Sequence, residues 1–167
     1  TAFIASSGAM SNAASATFTQ FDSSKYDHYK FYFMYVKPVT DQVRMQSFVS
    51  TDGGSSYDTN ASNYVHNGAS THTDGLATQK NAACGNDTNE YGLSGYLTIF
   101  GPHLTNYTYA MSETTVMTAN GNTFMGSIDQ TRSTIHKVTA DVDAIQFKFA
   151  SGNIASGEIV MYGIANS

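Results

Sequence analysis

The feature that most restricts this chain is a period-two run near its end. In Val142-Asp143-Ala144-Ile145-Gln146-Phe147-Lys148-Phe149, the apolar Ile145, Phe147 and Phe149 alternate with Gln146 and Lys148. A strand sends successive side chains to opposite faces, so this run has one dry face and one wet face; a helical period would scatter the same residues around the axis. A second run, Gly157-Glu158-Ile159-Val160-Met161-Tyr162-Gly163-Ile164, is β-branched and aromatic, and the turn-like Ala150-Ser151-Gly152-Asn153-Ile154-Ala155-Ser156 joins the two. The pair predicts a closing β-hairpin. With it goes the expectation of a self-contained β-domain with no tail, tether or membrane anchor after it.

The rest of the chain suits the same class. Tyr (11) and Phe (10) are plentiful, Thr, Ser and Gly are common, and Glu occurs only at Glu90, Glu113 and Glu158. That mixture forms helices poorly and sheets well. The 167 residues are enough for one domain with a substantial core. Strands are predicted at 3–6, 15–21, 29–37, 43–50, 94–100, 107–118 and 123–134, ahead of the closing pair. The run 29–37 is almost continuously apolar, which predicts a central strand covered on both faces and ended by Pro38. Thr51-Asp52-Gly53-Gly54-Ser55-Ser56 and Asn120-Gly121 read as turns, and Gly101-Pro102 as a stop. Between 58 and 90 the pattern fades, which predicts a surface excursion with one short strand near 62–66. The expected architecture is an all-β antiparallel sandwich, jelly-roll-like, of eight to ten short strands. Residues 1–14 read as an N-terminal arm and 15–167 as a single sandwich domain.

Charge narrows the function classes. The net charge is −5 and Arg44 and Arg132 are the only arginines, so no basic cluster can neutralise nucleic-acid phosphates or a lipid surface. No apolar run is long enough to span a bilayer as a helix. Thr1-Ala2-Phe3-Ile4-Ala5-Ser6 has neither the basic nor the long apolar part of a secretory leader. Cys84 is the single cysteine, so no intrachain disulfide forms, and it reads as a small buried or loop thiol.

The motifs point to structure more than chemistry. Ser50-Thr51-Asp52-Gly53-Gly54-Ser55-Ser56-Tyr57 matches the Asp-box of sialidase-like propellers, a hairpin-turn device in which Asp accepts backbone amides. One copy and two arginines exclude a propeller glycosidase. His66 and His72 lie near Asp74 but match no zinc spacing, and they read as an exposed polar loop; His28, His103 and His136 have no partner in the sequence. Asp58-Thr59-Asn60-Ala61-Ser62 and Asn86-Asp87-Thr88-Asn89-Glu90 resemble pieces of calcium loops, lack the required Gly and Glu offsets, and read as hydrated turns. Asp141 and Asp143 are expected to share one strand face beside a turn. Sequons at Asn60, Asn86 and Asn106 are those that an Asn- and Thr-rich chain produces by chance. No nucleophile elbow, zincin helix or phosphate loop is present. The sequence therefore yields no catalytic, cofactor-binding or metal-binding residue, and neither an enzyme nor a cofactor is expected. A carbohydrate-active jelly roll would need two carboxylates about 5–10 Å apart across a cleft, and Glu is scarce. What remains is a Tyr-, Ser-, Thr- and Asn-rich surface, the chemistry of contact faces.

Four segments together resemble a known family. They are Tyr26-Asp27-His28-Tyr29-Lys30-Phe31, Lys37-Pro38-Val39-Thr40-Asp41, Ser50-Thr51-Asp52-Gly53-Gly54-Ser55-Ser56-Tyr57-Asp58, and the closing pair with Ser151-Gly152-Asn153-Ile154 between its strands. In this order they resemble a β-domain that recurs in structural proteins of tailed bacteriophages, especially marine ones, both free-standing and as the C-terminal module of tail fibres. The likeness runs from about Ala13 to Ile164, with the middle alike in character only. Gln146 stands where Arg is common and Met161 where Leu is common. The resemblance implies a trimeric, jelly-roll-like virion component without catalysis. The expected function is a capsid decoration (cement) protein on the outer head shell, made in the host cytoplasm. Its partners would be the major capsid protein and its own copies as a homotrimer, with no nucleic acid and no membrane. The rival is a receptor-binding tail-fibre tip that grips a host glycan or protein.

Overall fold

A computed structural model of the chain describes residues 1–66, 69–79, 82–117, 119–120, 123–124 and 131–165. Among these, the strands are β1 (Ala2–Ser6), β2 (Ala16–Phe18), β3 (Tyr26–Pro38), β4 (Met45–Ser50), β5 (Tyr64–His66), β6 (Leu93–Phe100), β7 (Thr108–Thr115), β8 (Ala119–Asn120), β9 (Thr123–Phe124), β10 (Arg132–His136), β11 (Ala144–Phe149) and β12 (Ile154–Ala165). A single 3-10 turn, Ala61–Asn63, is the one helical element described. The protein is an all-β antiparallel sandwich. A seven-stranded sheet, in the order β1-β12-β3-β6-β7-β10-β5, packs on a three-stranded sheet, β2-β11-β4, and β8 and β9 form a small pair of their own. Of the turn at 120–121 and the strand at 123–134, Gly121 and residues 125–130 lie outside the described residues.

The strand order makes the sandwich jelly-roll-like. β1, β3, β5 and β12 lie in one sheet and β2, β4 and β11 in the other, so the chain crosses between the sheets at each connection from β1 to β5 and again from β10 to β12. The closing hairpin is therefore corrected: β11 and β12 do not pair. β11 lies between β2 and β4, whereas β12 lies between β1 and β3. Residues 150–153 turn the corner. Ala150 N–H donates to Arg44 O (2.9 Å), Val39 N–H to Asn153 O (2.9 Å) and Ile154 N–H to Ala13 O (2.7 Å), which ties the corner to both sheets.

The inward faces meet in an aromatic core. Phe147 from β11 stands edge-on to Phe31 and Phe33 from β3 at 5.2 Å each, and to Phe18 from β2 at 6.1 Å. Ile145, Phe149, Val36, Leu97, Ile99, Ile159 and Met161 pack around it, and Leu76 belongs to the same cluster.

Two further expectations change. The strand 29–37 is central but covered on one face only: Phe31, Phe33 and Val36 are buried, whereas Tyr32, Met34 and Tyr35 are exposed. The segment 58–90 is not wholly a surface excursion. Leu76, Ala77, Thr78 and Gln79 are almost inaccessible, as are Cys84 and Glu90. This irregular stretch closes the free edge of β4, through a parallel bridge between Ser47 and Gly75 and an antiparallel one between Val43 and Cys84. Buried irregular backbone must find polar partners. Here Met45 N–H donates to Gln79 Oε1 (2.6 Å), Ser112 Oγ to Ala77 O (2.9 Å), and Thr114 Oγ1 to Thr78 O. That is why β7 carries small hydroxyls on its inner face.

Residues 1–14, read from the sequence as an arm, lie along β12 in this chain. β1 pairs with its last part, and Ala13 bridges Ile154 at its start.

Candidate functional site

The outer face of the large sheet is the most unusual surface of the molecule. An antiparallel sheet with one solvated face normally turns polar side chains outward. Here the register brings together three outward rows of a different kind. One row runs Ile164, His28, Phe100, Tyr109, Ile135, Val65; the next Phe3, Tyr162, Lys30, Thr98, Met111, Ser133; the third Ser6, Val160, Tyr32, Tyr96, Glu113. The rings are packed on one another: Phe3 on Tyr162 at 6.0 Å, Tyr162 on Tyr32 at 5.6 Å and Tyr32 on Tyr96 at 6.1 Å, all edge-to-face. Lys30 Nζ lies 3.7 Å from the Tyr96 ring centroid and 5.0 Å from that of Tyr32. Tyr96 OH donates to Glu113 Oε2 (2.6 Å), which fixes the ring and raises the phenol's pKa. Cation–π and ring–ring contacts of this kind hold an aromatic surface in one shape before any partner arrives.

Two shallow hollows mark this face. One, of about 580 Å³, lies among Tyr32, Met34, Gly95, Tyr96, Val160 and Tyr162. The other, of about 510 Å³, lies among Val65, Phe100, Tyr109, Met111 and Ile135. At the rim, a bulge in β3 puts Tyr35 in the left-handed region (φ 52) and turns its ring outward against Tyr91. A bulky residue held there carries backbone strain, which accumulates at functional positions.

No protein-family model matches the chain, and no curated protein or solved structure is significantly similar to it.

Of the residues singled out in the sequence, His28 stands in the first outward row and His66 borders the second hollow; most of the others lie elsewhere and stabilise loops. In the Asp-box, Asp52 accepts from Ser56 N–H (2.9 Å), Ser56 Oγ (2.5 Å) and Ser50 Oγ (2.7 Å). The Ser56 hydroxyl and amide, then the Ser50 hydroxyl, hold its carboxyl down at about 2. Asp143 accepts Gly53 N–H at 2.9 Å on both oxygens. Asp141 and Asp143 precede β11 and do not share a strand face, because the strand begins at Ala144. Asp58 and Glu90 are not hydrated turns. Asp58 accepts from His136 Nε2 (2.8 Å) and Asn63 Nδ2 (2.7 Å), and His136 is buried. Burial works against the Asp58 charge, but the hydrogen bonds from His136 and Asn63 outweigh it and lower the pKa. Tyr64 joins this group, donating to Asp58 O (2.7 Å) and accepting from Val49 N–H (3.2 Å). Glu90 is buried beside Gly85 and accepts Asp87 N–H at 2.7 Å. Cys84 is fully buried, and burial pushes its thiol up to about 12.

His66 and His72 are brought together, with rings edge-to-face at 4.3 Å, but not as an exposed loop. Arg132 Nη1 donates to His66 Nδ1 (2.7 Å), and Asp74 N–H donates to His72 Nδ1 (3.2 Å). Among the described residues, no three of His, Cys, Asp and Glu converge as a metal cluster. His28, His103 and His136 stay apart: His28 Nδ1 accepts Gly101 N–H (3.0 Å), and His103 lies 3.8 Å from Asp27.

Burial first, then the charges of His66, Arg132 and Arg44, lower the pKa of His72 from 6.5 to about 4. Between those values the unfolded chain binds a proton that the folded chain refuses, so stability falls as pH drops from about 6.5 to about 4. With solvent screening at this half-buried site, the loss is on the order of 1–2 kcal/mol. Asp74, whose pKa burial raises, acts in the opposite sense, because its protonation favours the fold. His72→Gln is expected to flatten the slope of unfolding free energy against pH in this window. An unchanged slope would mean that His72 titrates normally.

The outer aromatic face escaped the sequence reading. Its signal is the run 29–37, where apolar residues occupy both alternating sets, a pattern that a strand buried on both sides gives equally.

Proposed function

We propose that this protein is a virion structural component of a tailed bacteriophage: a decoration protein that binds the outer surface of the head shell as a homotrimer. Its partners on this reading are the major capsid protein and its own copies, and neither nucleic acid nor membrane. It is made in the host cytoplasm and ends on the capsid surface. The observation that carries the reading is the outer face of the large sheet. Two apolar patches flank Lys30 and Thr98: Phe3, Tyr162, Tyr32 and Tyr96, held by ring–ring contacts, on one side, and Phe100, Tyr109 and Met111 on the other. Such a face suits a protein-binding surface. Tyr supplies large, rigid contact area at little entropic cost. Weak contacts of this kind become firm attachment when three linked copies bind one lattice.

The test is addition of the purified chain to undecorated head shells, with bound copies counted against free concentration. Tyr32→Ala with Met111→Ala is expected to weaken binding at least about tenfold, as for residues at the centre of an interface. Binding that ignores both substitutions would remove the outer face from the interface.

The tail-fibre tip is the second reading. The hollow of about 580 Å³ walled by Tyr32, Tyr96 and Tyr162 has the size of a small-ligand site and the ring surfaces on which a sugar can stack. Binding to host-surface glycans together with failure to bind shells would favour it.

A further inference from the structure

We propose that residues 1–11 are an exchangeable strand that pairs with β12 of a neighbouring copy in the assembled oligomer. This rests on the homotrimer reading and names the contact that joins its copies.

The segment follows β12 along most of its length. Phe3 is opposite Tyr162 and Ser6 opposite Val160. Beyond β1, Ser7 N–H donates to Ile159 O (2.9 Å) and Met10 N–H to Gly157 O (2.9 Å). The side chains add contacts of their own: Ile4, Ala5 and Met10 pack on the core, Phe3 stands on Tyr162, Ser6 Oγ donates to Glu158 Oε1, and Ser7 Oγ accepts Ile159 N–H (2.9 Å). The main-chain ladder and these side-chain contacts are all made to elements that a neighbouring copy offers identically. Exchange of identical contacts is a low-cost route to an oligomer. The first charged residue of the chain is Asp22, so no charge in this edge strand opposes pairing with a neighbour.

A hinge sits at the right place. Asn12 has φ 50, and Gly8, inside the segment, has φ 67. Asn adopts the left-handed region more readily than other non-glycine residues, and glycine does so freely, so both positions can redirect the chain at little cost. After Asn12 the chain is fixed, because Ala13 bridges Ile154 and Ala16 enters β2 in the other sheet. Eleven extended residues reach about 36 Å, against a radius of gyration of about 15 Å for a domain of this size. The strand can therefore reach a copy packed alongside.

The register supplies the test. Ser6→Cys with Val160→Cys places two thiols opposite each other on paired strands, where Cα separations of about 4.5–5.5 Å suit a disulfide. Buried Cys84 does not compete. The full-length variant is assembled, oxidised, denatured and run on a non-reducing gel, and its native mass is measured beforehand. Covalently linked oligomers are the expected result. An intact oligomer that yields only internally bridged single chains overturns the exchange and leaves the homotrimer standing. A monomeric native particle overturns both. If Val160→Cys disturbs folding, Phe3→Cys with Tyr162→Cys tests the same register at a more exposed pair.

Discussion

Phe147→Ala is expected to lower the free energy of unfolding by about 3–5 kcal/mol, the range for deleting a large buried aromatic. Phe147 is fully buried and is the ring at which the sheets meet, with Phe18 on its own sheet and Phe31 and Phe33 on the other. The substitution removes the transfer free energy of the ring and leaves a cavity between two sheets. Each sheet is tied by its own ladders, so the cavity cannot close by a small shift. Phe147→Leu keeps most of the volume and is expected to cost about 1.5 kcal/mol or less. Urea denaturation of the two variants beside the parent chain measures both. A cost for the alanine variant close to that of the leucine variant would mean that the sheets do not rest on this ring.

The same residue shows how far the sequence was legible. The alternation of Ile145, Phe147 and Phe149 with Gln146 and Lys148 identifies a strand and its dry face, because that information is local. It does not say which strand lies alongside. Ala150 to Ser156 suits a hairpin and a corner between sheets equally well. The choice is made by hydrogen bonds to Arg44, Val39 and Ala13, which are remote in sequence. The run 29–37 shows the complementary limit: apolar residues on both faces of β3 mark a core on one side and an exposed aromatic field on the other, and composition cannot separate the two. The candidate site is a product of register across β1, β12, β3, β6, β7, β10 and β5, so no single segment announces it. His136 and Asp58 are 78 residues apart in the chain and 2.8 Å apart in space. The turn-like residues around Asp58 gave no sign that a buried imidazole would be their partner.

Gly75→Ala carries the second large effect, because it tests the stretch where sequence and structure diverge most. Gly75 lies at φ 68, and an added Cβ would stand 2.1 Å from Ser47 O and 2.8 Å from Ser47 C, both backbone atoms. The bridge there consists of Ser47 N–H to Asp74 O (2.9 Å) and Leu76 N–H to Ser47 O (2.8 Å). A methyl group must push the segment off the edge of β4, breaking these bonds and lifting Leu76 from the core. Positive φ alone costs alanine about 1–2 kcal/mol, and lost bonds and packing bring the expected total to about 3 kcal/mol or more. Gly53→Ala is the control, since Gly53 lies at φ 72 with nothing within 4 Å of the new methyl. Its urea midpoint reads the conformational cost by itself, so the excess in Gly75→Ala measures what the irregular segment contributes as a wall of the sandwich. Equal losses in the two variants would mean that residues 74–79 yield freely. β7, which presents Tyr109 and Met111 to the outer face, would then owe its position to its strand neighbours and not to the hydroxyl contacts of Ser112 and Thr114 with this segment.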